Sequence, residues 1–99
     1  MNKHTELSDF EINKKVAEKL GLNFKDGVIV KNGEWFYFDP CNNPADAMPI
    51  INEYGISLVY QDRQFQFATN DGNIECCISN PLKAAMIIFL CMRGTENEG

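Results

Sequence analysis

The stretch Ala84-Ala85-Met86-Ile87-Ile88-Phe89-Leu90-Cys91-Met92 contains no charged residue and no hydroxyl or amide side chain. Ser79-Asn80-Pro81 stands ahead of it, a capping residue followed by proline at the first helical position, so the run predicts a helix that continues to Arg93 before Gly94. This helix is apolar on every side, whereas a surface helix keeps a polar face. At about half of the roughly 20 residues that a bilayer-spanning helix needs, it belongs inside a folded core. One sheet face covers about half of such a helix. The remainder must meet another helix, most simply the first, or a second subunit, which would make the chain a homodimer through its last helix.

The strands that would form that sheet lie just before it. Ile56-Ser57-Leu58-Val59-Tyr60 is nearly all apolar and reads as a central strand. After the turn at Gln61-Asp62-Arg63-Gln64, Phe65-Gln66-Phe67-Ala68-Thr69 alternates, which implies one buried face. Asn70-Asp71-Gly72 leads into a strand from Ile74 to Ile78, completing an antiparallel meander.

Further toward the N-terminus, Leu7-Ser8-Asp9-Phe10-Glu11-Ile12 has the marks of a helix start: Ser8 and Glu11 make a capping box, and Leu7 with Ile12 a hydrophobic staple. Ile12, Val16, Ala17 and Leu20 gather on one side, and Gly21 offers a left-handed stop. Val28-Ile29-Val30 and Glu34-Trp35-Phe36-Tyr37-Phe38 form a hairpin across Lys31-Asn32-Gly33. Its second arm does not alternate, so both faces are expected to need cover. Asn43-Pro44 opens another helix with Asp46 near its positive end; Pro49 predicts a kink or restart before Ile50, and Gly55 ends the element. Asn43 through Ile51 also echoes Asn80 through Ile88 at Asn, Pro, Ala and both Ile positions, which reads as two independent uses of a good helix start or as a duplicated ββα unit.

The predicted fold is therefore α+β: an antiparallel sheet of about five strands with helices packed on both faces, an α/β/α sandwich, in the order α-β-β-α-β-β-β-α. Residues 8–94 make a single domain between mobile tails at 1–7 and 95–99. A length of 99 residues leaves little room for a second core.

Charge and composition narrow the function. Fourteen Asp and Glu against nine Lys and Arg give a net charge of −5, which argues against direct binding of nucleic acid through its phosphates. The polar start Met1-Asn2-Lys3-His4-Thr5-Glu6 lacks the apolar segment of a secretory signal, so the expectation is a cytoplasmic protein with no membrane attachment. Cys41, Cys76, Cys77 and Cys91 form no CxxC pair and read as small hydrophobes in a reducing compartment. The single imidazole, His4, falls in the expected tail, leaving no base for a Cys or Ser nucleophile.

Asp39 and Asp46 flank the Cys41-Asn42-Asn43-Pro44 turn and could offer oxygen ligands to a divalent cation. Asp39 is equally a turn residue and Asp46 a helix-end residue, and neither a metal nor another cofactor is expected. The final α-β-β-β-α stretch shares its element order with double-stranded RNA-binding domains, but the start of its last helix offers only Lys83 as a basic group. Trp35, Phe36, Tyr37 and Phe38, with Tyr54 and Tyr60, serve as core or line a ligand pocket.

Three blocks carry a family resemblance: Leu7-Ser8-Asp9-Phe10-Glu11-Ile12-Asn13, Cys41-Asn42-Asn43-Pro44-Ala45-Asp46-Ala47-Met48-Pro49-Ile50-Ile51, and Asn80-Pro81-Leu82-Lys83-Ala84-Ala85-Met86-Ile87. In these the chain resembles the small NinX-like proteins of phages and prophages, similar to those grouped as the phage ABA-sandwich domain. The resemblance implies a helix-sheet-helix sandwich encoded among accessory genes and brings no catalytic residues with it. Met48 stands where the family often has tryptophan. The expected function is that of a non-enzymatic accessory protein that binds a host or phage protein in the host bacterial cytoplasm, for example as an inhibitor of a host enzyme or defence system. Its expected recognition surface is Asp39, Cys41, Asn42, Asn43 and Asp46; the alternative is a small-molecule or nucleotide-binding domain.

Overall fold

A computed structural model of the chain, which describes residues 3–92, puts the last helix, α3 (Pro81–Met92), at the centre of the molecule. Ala84, Ala85, Met86, Ile87, Ile88, Phe89 and Leu90 have no solvent exposure at all. One side of α3 lies on a three-stranded sheet, and helices α1 (Asp9–Leu20) and α2 (Pro44–Tyr54) pack on the rest of it. The expected covering of α3 by a sheet and by the first helix is met within one chain. No face of α3 is left for the last-helix homodimer, because α2 takes the place a second subunit would have filled.

The strands form two sheets and not one of about five strands. β1 (Phe24–Lys25), β2 (Val28–Lys31) and β3 (Glu34–Tyr37) make the first, and β4 (Ser57–Gln61), β5 (Gln64–Asn70) and β6 (Ile74–Cys76) the second, each antiparallel in chain order. The element order is thus α-βββ-α-βββ-α. Each triplet is closed locally by tight turns, and α2 intervenes between them. Asp26-Gly27 and Asn32-Gly33 close the first triplet with positive φ at both residues, the backbone twist that hairpins require. The short β1, two residues long, is not predicted from the sequence. In the second sheet β5 is central, and β4, expected to be central, is an edge with a register shift between Val59 and Tyr60.

Helix α1 begins as its sequence predicts: Glu11 N–H donates to Ser8 Oγ at 3.1 Å and Ser8 N–H donates to Glu11 Oε1 at 2.9 Å. Gly21 ends it in the left-handed region at φ 77°. Helix α2 is continuous through Pro49, with no restart before Ile50. Pro49 deprives Ala45 of one intrahelical bond, but Ala47, Ile50 and Ile51 are buried on both sides of the defect and hold the helix in place.

Two expectations about exposure are corrected. Residues 34–37 of β3 are all exposed, Trp35 at 67% and Tyr37 at 85%, and only Phe38 of the aromatic arm is buried. The first sheet meets α1 chiefly through β1, where Phe24 stacks between Phe10 and Phe38 at 5.4 and 6.3 Å, so β3 projects beyond the core. At the N-terminus, Lys3–Glu6 form a 3-10 turn and His4 is buried, where a tail was expected. The remainder of the expected tails, residues 1–2 and 95–99, and the predicted helix end at Arg93 and Gly94 lie outside the described residues.

Candidate functional site

Residues 38–43 connect β3 to α2 at the point where all three helices begin. Asp9 is the first residue of α1, Asn43 caps α2 by accepting from Ala45 N–H at 3.0 Å, and Asn80 caps α3 by accepting from Leu82 N–H at 3.0 Å and Lys83 N–H at 3.2 Å. Each helix start presents unpaired N–H groups and a partial positive charge, so acceptors gather there.

Side-chain amides join these starts. Asn13, 5% exposed, donates from Nδ2 to Asp39 Oδ1 at 2.8 Å and accepts Cys41 N–H at Oδ1 at 3.2 Å. Asn42 Nδ2 donates to Asp9 Oδ2 at 2.9 Å and lies 3.2 Å from both Asp39 oxygens. Asn80 Nδ2 donates to the Cys41 carbonyl at 2.8 Å and to Asn42 Oδ1 at 3.2 Å. Asp46 Oδ2 accepts Asp39 N–H at 2.9 Å, and Lys83 Nζ stands 3.0 Å from Asp9 Oδ1.

These partners set the local electrostatics. The hydrogen bond from Asn42, then that from Lys83, holds the Asp9 carboxyl below its ordinary range. Cys41 is fully buried beneath the loop; burial first, and the Asp9 charge second, push its thiol up to about 12, so it stays protonated and unreactive. Asp9, Asp39 and Asp46 all accept from protein donors. Among the described residues no group of three or more His, Cys, Asp and Glu is placed to hold a metal ion.

The expected recognition surface is therefore divided. Asn42, Asn43 and Pro44 face solvent, Asp39 and Asp46 are half-buried, and Cys41 is internal. Asp9, Asn13, Asn80 and Lys83, the partners of this loop, are not predicted as such from their local sequence. The available signal was that they stand in the first and third resemblance blocks while the loop stands in the second; the three blocks meet in one hydrogen-bond network.

Beside the loop runs an open groove between the first sheet and the start of α2. One part, about 360 Å³, is lined by Ile29, Lys31, Phe36, Tyr37, Asn43 and Asp46. A second part, about 240 Å³, shares Ile29, Lys31 and Asp46 and continues past Ala45 and Pro49. In the β2–β3 register Ile29 faces Phe36 and Lys31 faces Glu34, which places these four side chains on the groove side of the sheet. Trp35 and Val30 project from the opposite side, and Tyr37, which alternates with Phe36 along the strand, also borders the groove.

None of the helices among the described residues is long and apolar enough to cross a membrane. No curated protein and no solved structure matches the chain. The family described as bacteriophage P22, NinX matches residues 3–93, which contain the capping network, the groove and the central helix, and the chain belongs to this family.

Proposed function

We propose that this phage-family protein is a non-enzymatic accessory factor of the host cytoplasm, and that it acts by binding a host or phage protein in the groove between the first sheet and α2. The observation that carries the reading is the composition of the groove. Apolar walls from Ile29 and Phe36 stand against polar groups of Asn43 and Asp46 and the Lys31 cation, next to an exposed aromatic strand. Exposed aromatic residues are what protein-binding surfaces concentrate. The capping loop supports one wall, and the amides of Asn13 and Asn80 hold that loop still.

A photo-cross-linking residue at position 31, introduced in phage-infected cells, tests this. A discrete covalent adduct with one protein is expected, and Ala45→Trp, which fills the groove from an exposed position, abolishes it. A cross-linker at position 14, on the charged side of α1, serves as control. The same products from both positions overturn the reading. Stabilisation by a nucleotide or metabolite that Ala45→Trp cancels, with no protein adduct, replaces it by the small-molecule alternative.

A further inference from the structure

Phe38 N–H donates to the Gly27 carbonyl at 3.0 Å, which extends the register pairing Val28 with Tyr37 and Ile29 with Phe36. Bonded and non-bonded pairs alternate in an antiparallel ladder. Residues 34, 36 and 38 therefore turn their backbone groups toward β2, and Trp35 and Tyr37 turn theirs away from it. β3 is the edge of its sheet, and among the described residues no other element bonds to the backbone of Trp35 or Tyr37. Four strong hydrogen-bonding groups thus line an open edge under two of the most exposed large side chains in the molecule.

Proteins blunt such edges with lysine, proline or a bulge. The edge of the second sheet carries an irregularity between Val59 and Tyr60, whereas β3 pairs in unbroken register and holds one charge, Glu34, at its beginning. Apart from its four-residue length, nothing protects it.

We infer that β3 pairs antiparallel with β3 of a second copy of this chain, about a twofold axis through Phe36. In that register Trp35 faces Tyr37 of the second copy and the reverse, and the two N–H and two C=O groups of each edge all find partners. Registers centred on Trp35 or Tyr37 leave half of these groups unpaired. The first sheets of the two copies become one of six strands, no like charges face each other, and Trp35 and Tyr37 of each copy meet across the seam. On the groove side Phe36 meets its own copy, so the two grooves become continuous.

The association is weak. At the usual 150–250 Å² per aromatic side chain, the exposed parts of Trp35, Phe36 and Tyr37 supply about 400 Å² per copy, below the ~1,200 Å² total of stable complexes. A dissociation constant on the order of 10–100 µM is expected. Each copy carries a charge of −5, so added salt strengthens the dimer by screening, the reverse of binding to a basic partner.

Sedimentation velocity from about 5 to about 500 µM is expected to show monomer passing to dimer, shifted to lower concentration at about 0.5 M salt. Trp35→Lys with Tyr37→Lys puts four cations at the interface from exposed positions, and is expected to remain monomeric with an unchanged circular dichroism spectrum. Should that variant not fold, Tyr37→Pro removes one outward N–H without disturbing the β2 ladder. In a Cys77→Ser background, Phe36→Cys is expected to give a disulfide-linked dimer on mild oxidation, since facing non-bonded residues lie about 4.5 Å apart at Cα. A wild-type monomer throughout the range, or a lysine variant that dimerises equally, overturns the inference. So does capture of an extended foreign peptide on β3 by a chain that stays monomeric. The dimer does not depend on the proposed groove partner: Ala45→Trp is expected to leave it intact.

Discussion

Asn80 Nδ2 donates to the carbonyl of Cys41 at 2.8 Å while its own Oδ1 caps α3, so a single amide links the third helix to the loop that opens the second. Its two ends are separable by substitution. Asn80→Ser keeps a capping oxygen and loses the bond to Cys41, whereas Asn80→Ala loses both. Losing the cap costs about 1 kcal/mol and leaving the carbonyl unpaired about 1–3 kcal/mol. Urea unfolding is expected to rank wild type above Asn80→Ser and Asn80→Ser above Asn80→Ala, with the last about 2–4 kcal/mol below wild type.

Asp9 makes part of the stability depend on pH. Its folded pKa lies below the ordinary 3.8, so it is charged in both states at neutral pH and its bonds to Asn42 and Lys83 contribute there in full. Below 3.8 the unfolded chain takes up the proton first; the contribution fades and is lost as pH falls through the folded value. With the Asp9 side chain 43% exposed, Lys83→Met is expected to cost no more than about 1 kcal/mol at pH 7. Thermal melts should show this difference shrinking below about pH 4.

The cysteines should separate by accessibility. Cys77 is exposed, whereas Cys41 and Cys76 are buried and burial raises both thiols. Brief iodoacetamide treatment of the native protein at pH 8, followed by peptide mass spectrometry, is expected to label Cys77 and to spare Cys41. Labelling of Cys41 should then appear only with denaturant. Early labelling of Cys41 would mean that the loop opens readily.

Pro49 offers a gain. Pro49→Ala restores an N–H that can reach the Ala45 carbonyl in a helix already continuous through this position. A proline in a helix interior costs about 3 kcal/mol relative to alanine. As the wild-type helix has adapted, about 1–3 kcal/mol of added stability is expected, measured as a higher urea midpoint.

Local chemistry accounts for what the sequence revealed. The capping box of Ser8 and Glu11, the left-handed stops at Gly21 and Gly55 and the Asn32-Gly33 hairpin each depend on neighbours within a few residues, and each stands where it was read. The two sheets were not legible because strand pairing between β3 and β4 has no local signature. Asp26-Gly27 did signal a turn, but Phe24–Lys25 was too short to show a strand period. Trp35, Phe36 and Tyr37 misled because hydrophobicity reports a wish for burial without naming the surface that supplies it. At the candidate site Asn43 and Asp46 were found from their own helix. The cap at the start of α3 was legible in the same way, but the bonds of Asn13 and Asn80 to Cys41 were not, since only the closed fold brings them within 3.2 Å of its backbone atoms.

The convergence of three helix starts on one loop also has a temporal side. Asn80 reaches Cys41 across 39 positions and Asn42 reaches Asp9 across 33, so the network stays incomplete until the last helix has left the ribosome. Two separate meanders can form as they emerge, but the loop acquires its fixed shape only when α3 seals it. A nascent chain stopped before Asn80 therefore lacks both the donor to the Cys41 carbonyl and the helix on which the second sheet packs.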